Sequence, residues 1–175
     1  YGGAIADSNE IKRELEKEAI ALSEKLAVDY LELRYLDEQD NGMLLKQAHA
    51  TFACDLAEDE EKILASVKKK QRAVIRHSIK NELTADYEDG FDDFYHLLSE
   101  SYRNLGTPIF SKGYFSNLVD TFGDKLDIAV IKDNEGRPST AVMNFYFKDT
   151  VLPYYGGGNS DSRYIKSADF MYYDV

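Results

Sequence analysis

From Asn9 to Leu26 the apolar residues Ile11, Leu15, Ala19, Leu22 and Leu26 recur at helical spacing, with Asp7 or Ser8 placed to cap the first turn. Val28 to Arg34 then alternates apolar and charged residues, which predicts a half-buried strand. A polar loop, Asp37 to Gly42, separates it from a second expected strand, His49 to Asp55. Between Glu58 and Asn81 the pattern is helical again. Ile63, Leu64, Val67, Val74, Ile75 and Ile79 fall on one arc, while Lys62, Lys69, Arg72, Arg76 and Lys80 fall on the other. The turn-like segment Asp86 to Gly90 suggests a domain boundary, dividing the chain into 1–87 and 88–175. Two helices follow, Phe91–Leu105 and Lys112–Phe122, separated at Gly106-Thr107-Pro108, where proline disfavours helix before it. Strands are expected at Asp127–Lys132, Ser139–Lys148 and Val151–Tyr155. Gly156-Gly157-Gly158 is expected to break the last of these, and a helix to start near Lys166. Periodicity alone gives an α/β or α+β class.

Charge sharpens this picture. The net charge is −11, yet residues 62–80 carry seven basic side chains and no acidic one. A lone basic block in an acidic chain points to a local anion site and away from a general nucleic-acid coat. No apolar run approaches the roughly 20 residues that a membrane helix needs. The single cysteine, Cys54, excludes an internal disulfide framework. His49, His77 and His96 are scattered and fit no metal spacing, so no metal site is expected. Cys54 has no placed base partner and reads as core, as does the stripe Phe91, Phe94, Tyr95, Leu98 and Tyr102.

Several short motifs occur in a fixed order. They are Tyr1-Gly2-Gly3, Tyr30 to Arg34, Lys70-Gln71-Arg72 with Ile75-Arg76, Phe94-Tyr95, and Leu105 to Phe110 with Tyr114-Phe115. After these come Asn144 to Phe147, Tyr154 to Gly158, and Asp169 to Tyr172. Together they resemble the FemAB-related proteins that accompany PEP-CTERM and exosortase systems. The resemblance implies a GNAT-like acyltransferase fold with tandem GNAT-like domains: 1–87 as the end of the first with its basic connecting helix, and 88–175 as the start of a truncated second. A start at Tyr1 and an end inside a helix fit a fragment with an open sheet edge and poor solubility alone. The implied activity is transfer of an acyl or aminoacyl group onto an amine of a cell-envelope, peptidoglycan or exopolysaccharide precursor. The donor would be an aminoacyl-tRNA or an acyl-CoA, with no bound cofactor. The implied partners are an anionic, phosphate-bearing precursor and charged tRNA, met in the cytoplasm or at the inner face of the membrane.

Candidate site residues carry both a functional and a bland reading. Arg72 and Arg76 lie one helical turn apart, with Lys69 close by, and two guanidiniums can grip one pyrophosphate with forked hydrogen bonds. The bland reading is a solvated face whose lysines pair with Glu58 to Glu61, and it is the stronger one for Lys68 and Lys70. Gly156, Gly157 and Gly158 let a backbone approach phosphate closely before a helix N-terminus, with Arg163 as a further contact, or they form a simple turn. In GNAT enzymes that loop carries Arg/Gln-x-x-Gly-x-Gly/Ala. Here only Arg103 to Pro108 imitates its start, between helices, which weighs against acetyl-CoA. Tyr154 and Tyr155 can donate to an oxyanion or to the leaving oxygen. Asp169 can orient the acceptor amine, or merely cap a helix.

Overall fold

The computed structural model describes residues 2–46, 48 and 50–175. The chain forms two compact units, Tyr1–Leu56 and Ala57–Val175. In the first, α1 (Asn9–Lys25) starts at Ser8, whose side chain accepts from the Ile11 N–H. Glu16 is turned inward from α1, where it accepts hydrogen bonds from the Tyr35 hydroxyl at 2.6 Å and the Asn41 amide at 3.4 Å. The strand expected over Val28–Arg34 does not form. Among the described residues a single antiparallel bridge joins Gly2 to Arg34, and Val28 and Tyr30 stay exposed, so the alternating pattern does not bury a face here. The expected strand from His49 to Asp55 is likewise absent over residues 50–55; His49 itself lies outside the described residues, as does Tyr1.

The second unit is a four-stranded, wholly antiparallel sheet in the order β1 (Thr84–Asp86), β2 (Leu126–Lys132), β3 (Pro138–Phe147), β4 (Thr150–Gly158). Period-two alternation sends Ile128, Val130, Ala141 and Met143 to one face, where Phe94 and Leu98 of α4 (Phe91–Leu105) and Phe115 of α5 (Lys112–Phe122) close over them. Ala129, Ile131 and Val142 point to the other face and meet Leu83 and Met171 of α7 (Ser167–Asp174). The α4 stripe read as core is core: Phe94 and Leu98 are fully buried, with Phe91, Tyr95 and Tyr102 packed around them. Gly106 ends α4 in the left-handed conformation (φ 71°), which needs no Cβ, and the Thr107 N–H closes the turn onto the Tyr102 carbonyl at 3.0 Å.

Two expectations change here. The long basic helix is divided at Val67 and Lys68, both with ψ of 140°, into α2 (Glu60–Ser66) and α3 (Lys69–Ile79). The Arg72 guanidinium turns back to donate to the Val67 carbonyl at 3.2 Å, satisfying an acceptor that the break leaves open. The division of the chain falls after Leu56 and not after residue 87. β1 pairs with β2, Asp86 forms an ion pair with Lys132 at 2.6 Å, and a Cβ on Gly90 would lie 2.5 Å from the Val130 side chain. The acidic turn is therefore packed into the second unit, and the basic helix belongs with it.

Candidate functional site

β4 is one of the two edge strands of the sheet among the described residues. It carries the two tyrosines and all three glycines. Tyr155 is half-buried on the α4/α5 face, its ring edge-on to Phe115 at 5.1 Å and to Tyr154 at 4.8 Å, and its hydroxyl lies 3.0 Å from that of Tyr114. Burial, the Tyr114 hydrogen bond and the neighbouring tyrosines push its pKa well above the ordinary tyrosine value. It therefore stays protonated as a hydrogen-bond donor through the physiological range. Tyr154 is 56 % exposed, standing beside Phe145 at 6.1 Å.

The glycines do not break the strand. They continue β4, opposite Thr140, Ala141 and Val142. The reason is tertiary: a Cβ on Gly157 would lie 2.8 Å from the Leu98 Cα and 3.0 Å from the Leu97 carbonyl oxygen, so only glycine lets α4 pack this close to the strand. Asn159 donates from its N–H to the Ser139 carbonyl at 3.0 Å. The two-residue period of an antiparallel ladder gives Gly157 the same inward pairing, and it directs the N–H groups of Gly156 and Gly158 to the outer edge. The glycine segment thus offers two outward donors on a strand, in place of a loop at a helix N-terminus.

The basic helix lies against α7. Gln71 donates to the Asp169 carboxylate, and beyond the helix Asn81 donates to the carbonyl of Ile165, the last residue of α6 (Ser162–Ile165), at 2.7 Å. Asp169 does not cap α7: Lys166 holds the N-cap position, in the left-handed conformation, with no side-chain cap bond. Lys69 and Arg76 are exposed, as are Lys62, Lys68, Lys70 and Lys80, and none of them forms an ion pair among the described residues. The expected pairing of these lysines with Glu58 to Glu61 is not made. Arg72 is half-buried on Val67, so only Arg76 of the expected pair is fully presented to solvent. Arg163 is half-buried. Tyr155 and the basic helix are carried on opposite sides of the sheet, by α4/α5 and by α7 respectively. Cys54 is exposed and not core, as are Phe52 and Leu56 on either side of it. Among the described residues no group of three or more His, Cys, Asp or Glu converges on one point. No helix there is long and apolar enough to cross a membrane.

One polar cluster escaped the sequence reading. At the start of β2, Asp127 accepts from the Asn144 amide at 2.8 Å and from the Tyr146 hydroxyl at 2.6 Å, and Tyr87 donates to Asp174 at 2.7 Å. The alternation of Asn144 and Tyr146 along β3 was the available signal, but it needs the partner strand to become a cluster. Burial, and then the hydrogen bond to Asp127 and its charge, push Tyr146 up to about 12, and Tyr87 rises for like reasons. The folded chain thus holds these hydroxyls neutral above their ordinary value of 10.0. That stabilisation is complete below the unfolded value and is lost as pH climbs through the raised ones. Melting temperatures should fall steeply as pH rises from about 10 toward 12, and Asp127→Asn should bring one tyrosine titration, read by ultraviolet absorbance, back toward about 10.

Helix, helix, three antiparallel strands and a helix, with a short first strand leading in, is the order of a GNAT-like α/β fold. The solved crystal structure of FemX shares it, with a TM-score of 0.62 at 13 % identity over 67 % of this chain. The chain spans 46 % of the length of FemX. No protein-family model matches the sequence, and no curated protein matches it.

Proposed function

We propose that this chain is part of a FemAB-like acyl- or aminoacyltransferase that acts on an amine of a cell-envelope or exopolysaccharide precursor in the cytoplasm, in the PEP-CTERM and exosortase setting. The observation that carries this reading is the fold shared with FemX, on which β4 presents a protonated phenol and two outward N–H groups. The acceptor's neutral amine attacks the carbonyl carbon of an ester donor such as charged tRNA. A C–N bond forms, the C–O bond to the donor breaks, and the proton released by nitrogen passes to the leaving hydroxyl oxygen. Tyr154 or Tyr155 and the Gly156 and Gly158 N–H groups stabilise the oxyanion between these steps. Lys69 and Arg76, with the outer nitrogens of Arg72, anchor the phosphates of donor or precursor. Asp169 holds the basic helix against α7 and acts on the amine only indirectly. The unpaired basic face also favours a second reading, a non-catalytic module that binds an anionic carrier.

The test compares charged tRNA, uncharged tRNA and acetyl-CoA as ligands of the chain and of a Lys69→Ala/Arg76→Ala variant. Charged tRNA is expected to bind with strong salt dependence. The variant should flatten the log–log salt slope by about 1 to 2, as loss of two phosphate contacts requires. An unchanged slope removes the basic helix from the site, and binding of acetyl-CoA alone turns the reading to a conventional N-acetyltransferase. Tyr154→Phe/Tyr155→Phe should keep tRNA binding but lose about a hundredfold in transfer rate. Binding without transfer by the unaltered chain leaves the non-catalytic module.

A further inference from the structure

We infer that Tyr114 is the phenol that touches the reacting carbonyl: its hydroxyl donates to the oxyanion, and Tyr155 is the positioning residue that holds and polarises it. The inference rests on the transferase reading of the β4 edge and adds a residue which that reading does not contain.

The argument counts protons. Each phenol has one to give, and lone pairs with which to accept. The Tyr114 and Tyr155 hydroxyls lie 3.0 Å apart, and neither has another hydrogen-bond partner among the described residues. One bond spans the pair, so one of the two protons is left over. Burial decides which. Tyr155 is half-buried against Phe115, and a donor withdrawn from water and left unpaired is costly, so its proton goes to the Tyr114 oxygen. Tyr114 is 37 % exposed and the pair lies at the surface, so its own proton can be given outward. Burial first, and then the bond to Tyr114, raise the Tyr155 pKa, as a bond donated by a neutral phenol does. A hydroxyl that accepts one hydrogen bond donates a stronger one.

An oxyanion donor must be fixed before the charge develops. Tyr114 is held from several sides. Ser111 caps α5, its Oγ accepting from the Tyr114 N–H at 3.3 Å. The Tyr95 hydroxyl donates to the Phe110 carbonyl at 3.2 Å and ties the approach to α5 onto α4. The Phe110 ring lies 4.6 Å from that of Tyr114. Tyr154 is exposed too, and its ring meets that of Tyr155, but no hydrogen bond fixes its hydroxyl among the described residues. Tyr155 adjoins Gly156 in β4, so its bond holds the Tyr114 hydroxyl beside the stretch that sends N–H groups outward.

The experiment uses total tRNA charged with mixed amino acids as the ester donor and hydroxylamine as a small neutral amine. It reads the hydroxamate formed by the chain above the uncatalysed rate. Tyr114→Phe is expected to lower kcat about a hundredfold and to leave KM for charged tRNA unchanged. Phenylalanine keeps the ring that packs on Phe110 and Phe115, so the fold is retained. Tyr155→Phe should lower kcat about tenfold, and the double variant Tyr114→Phe/Tyr155→Phe should be no slower than Tyr114→Phe alone, because Tyr155 acts through its neighbour. Apart from turnover, carbon-13 NMR of labelled tyrosine rings should show Tyr155 titrating at lower pH in Tyr114→Phe than in the parent chain. An undiminished rate in Tyr114→Phe, losses that multiply in the double variant, or an unmoved Tyr155 titration overturns the inference and leaves the transferase reading standing. No hydroxamate from the parent chain overturns that reading, and the role of Tyr114 with it.

Discussion

Gly157→Val will destabilise the second unit by about 3 kcal/mol or more, or abolish its cooperative unfolding altogether. Backbone strain is not the cause, since Gly157 does not adopt a positive φ. The cause is space. The new Cβ would meet the Leu98 Cα at 2.8 Å, the Leu97 carbonyl oxygen at 3.0 Å and the Ser101 Cβ at 3.0 Å. Two of these are backbone atoms of α4 and cannot swing aside as a flexible side chain can. β4 cannot retreat either, because Gly157 is paired with Ala141 in the ladder. The opposite result is expected at Gly113 in α5, where an added Cβ meets only the Ser111 Oγ at 3.9 Å. Gly113→Ala should stabilise by about 0.5–1 kcal/mol through helix propensity. Urea midpoints of the two variants against the parent chain check both signs. A Gly157→Val midpoint equal to that of the parent would show that α4 and β4 do not pack this closely.

Phe115→Ala should remove about 3–5 kcal/mol. Phe115 is fully buried, and its ring meets Phe94 at 5.6 Å, Tyr95 at 5.9 Å, Tyr114 at 5.3 Å and Tyr155 at 5.1 Å in edge-to-face geometry. Truncation leaves a void that four rigid aromatic neighbours fill poorly, so the cost includes a cavity as well as lost transfer free energy. The same change frees the Tyr155 ring. Its hydroxyl should then titrate closer to the ordinary tyrosine value, which ultraviolet titration can read because the chain has no tryptophan. Phe110→Ala, at an exposed ring on the edge of the same group, should cost under about 1 kcal/mol. If the two phenylalanines cost the same in denaturant unfolding, the aromatic group is not organised around Phe115.

The elements legible in the sequence are those whose signal is local. The α4 stripe, the Gly106-Thr107-Pro108 stop and the two hairpin strands β2 and β3 carry their own periodicity and turn residues. What could not be read depends on partners. Val28 to Arg34 has a strand pattern but, among the described residues, pairs at Arg34 alone, whereas Thr84 to Asp86 is too short to show a period and becomes a strand only against β2. Three glycines in a row suggest a breaker. Here they extend β4 because a helix presses on it, a constraint invisible one-dimensionally. In the candidate site the two tyrosines and the basic helix were visible as residue types. Their separation to opposite sides of the sheet was not, nor was the pairing of Asp127 with Asn144 and Tyr146.

The turn of Arg72 onto the Val67 carbonyl has a bearing on how mutants of the basic helix should be interpreted. This side chain is a latch on the elbow between two helices as well as a charge, so its removal changes the shape of the surface while lowering its potential. Loss of anion affinity in Arg72→Ala would mix the two causes. Arg72→Lys keeps the charge and loses the fork that reaches the elbow, and it would therefore separate a weakened latch from a weakened electrostatic attraction.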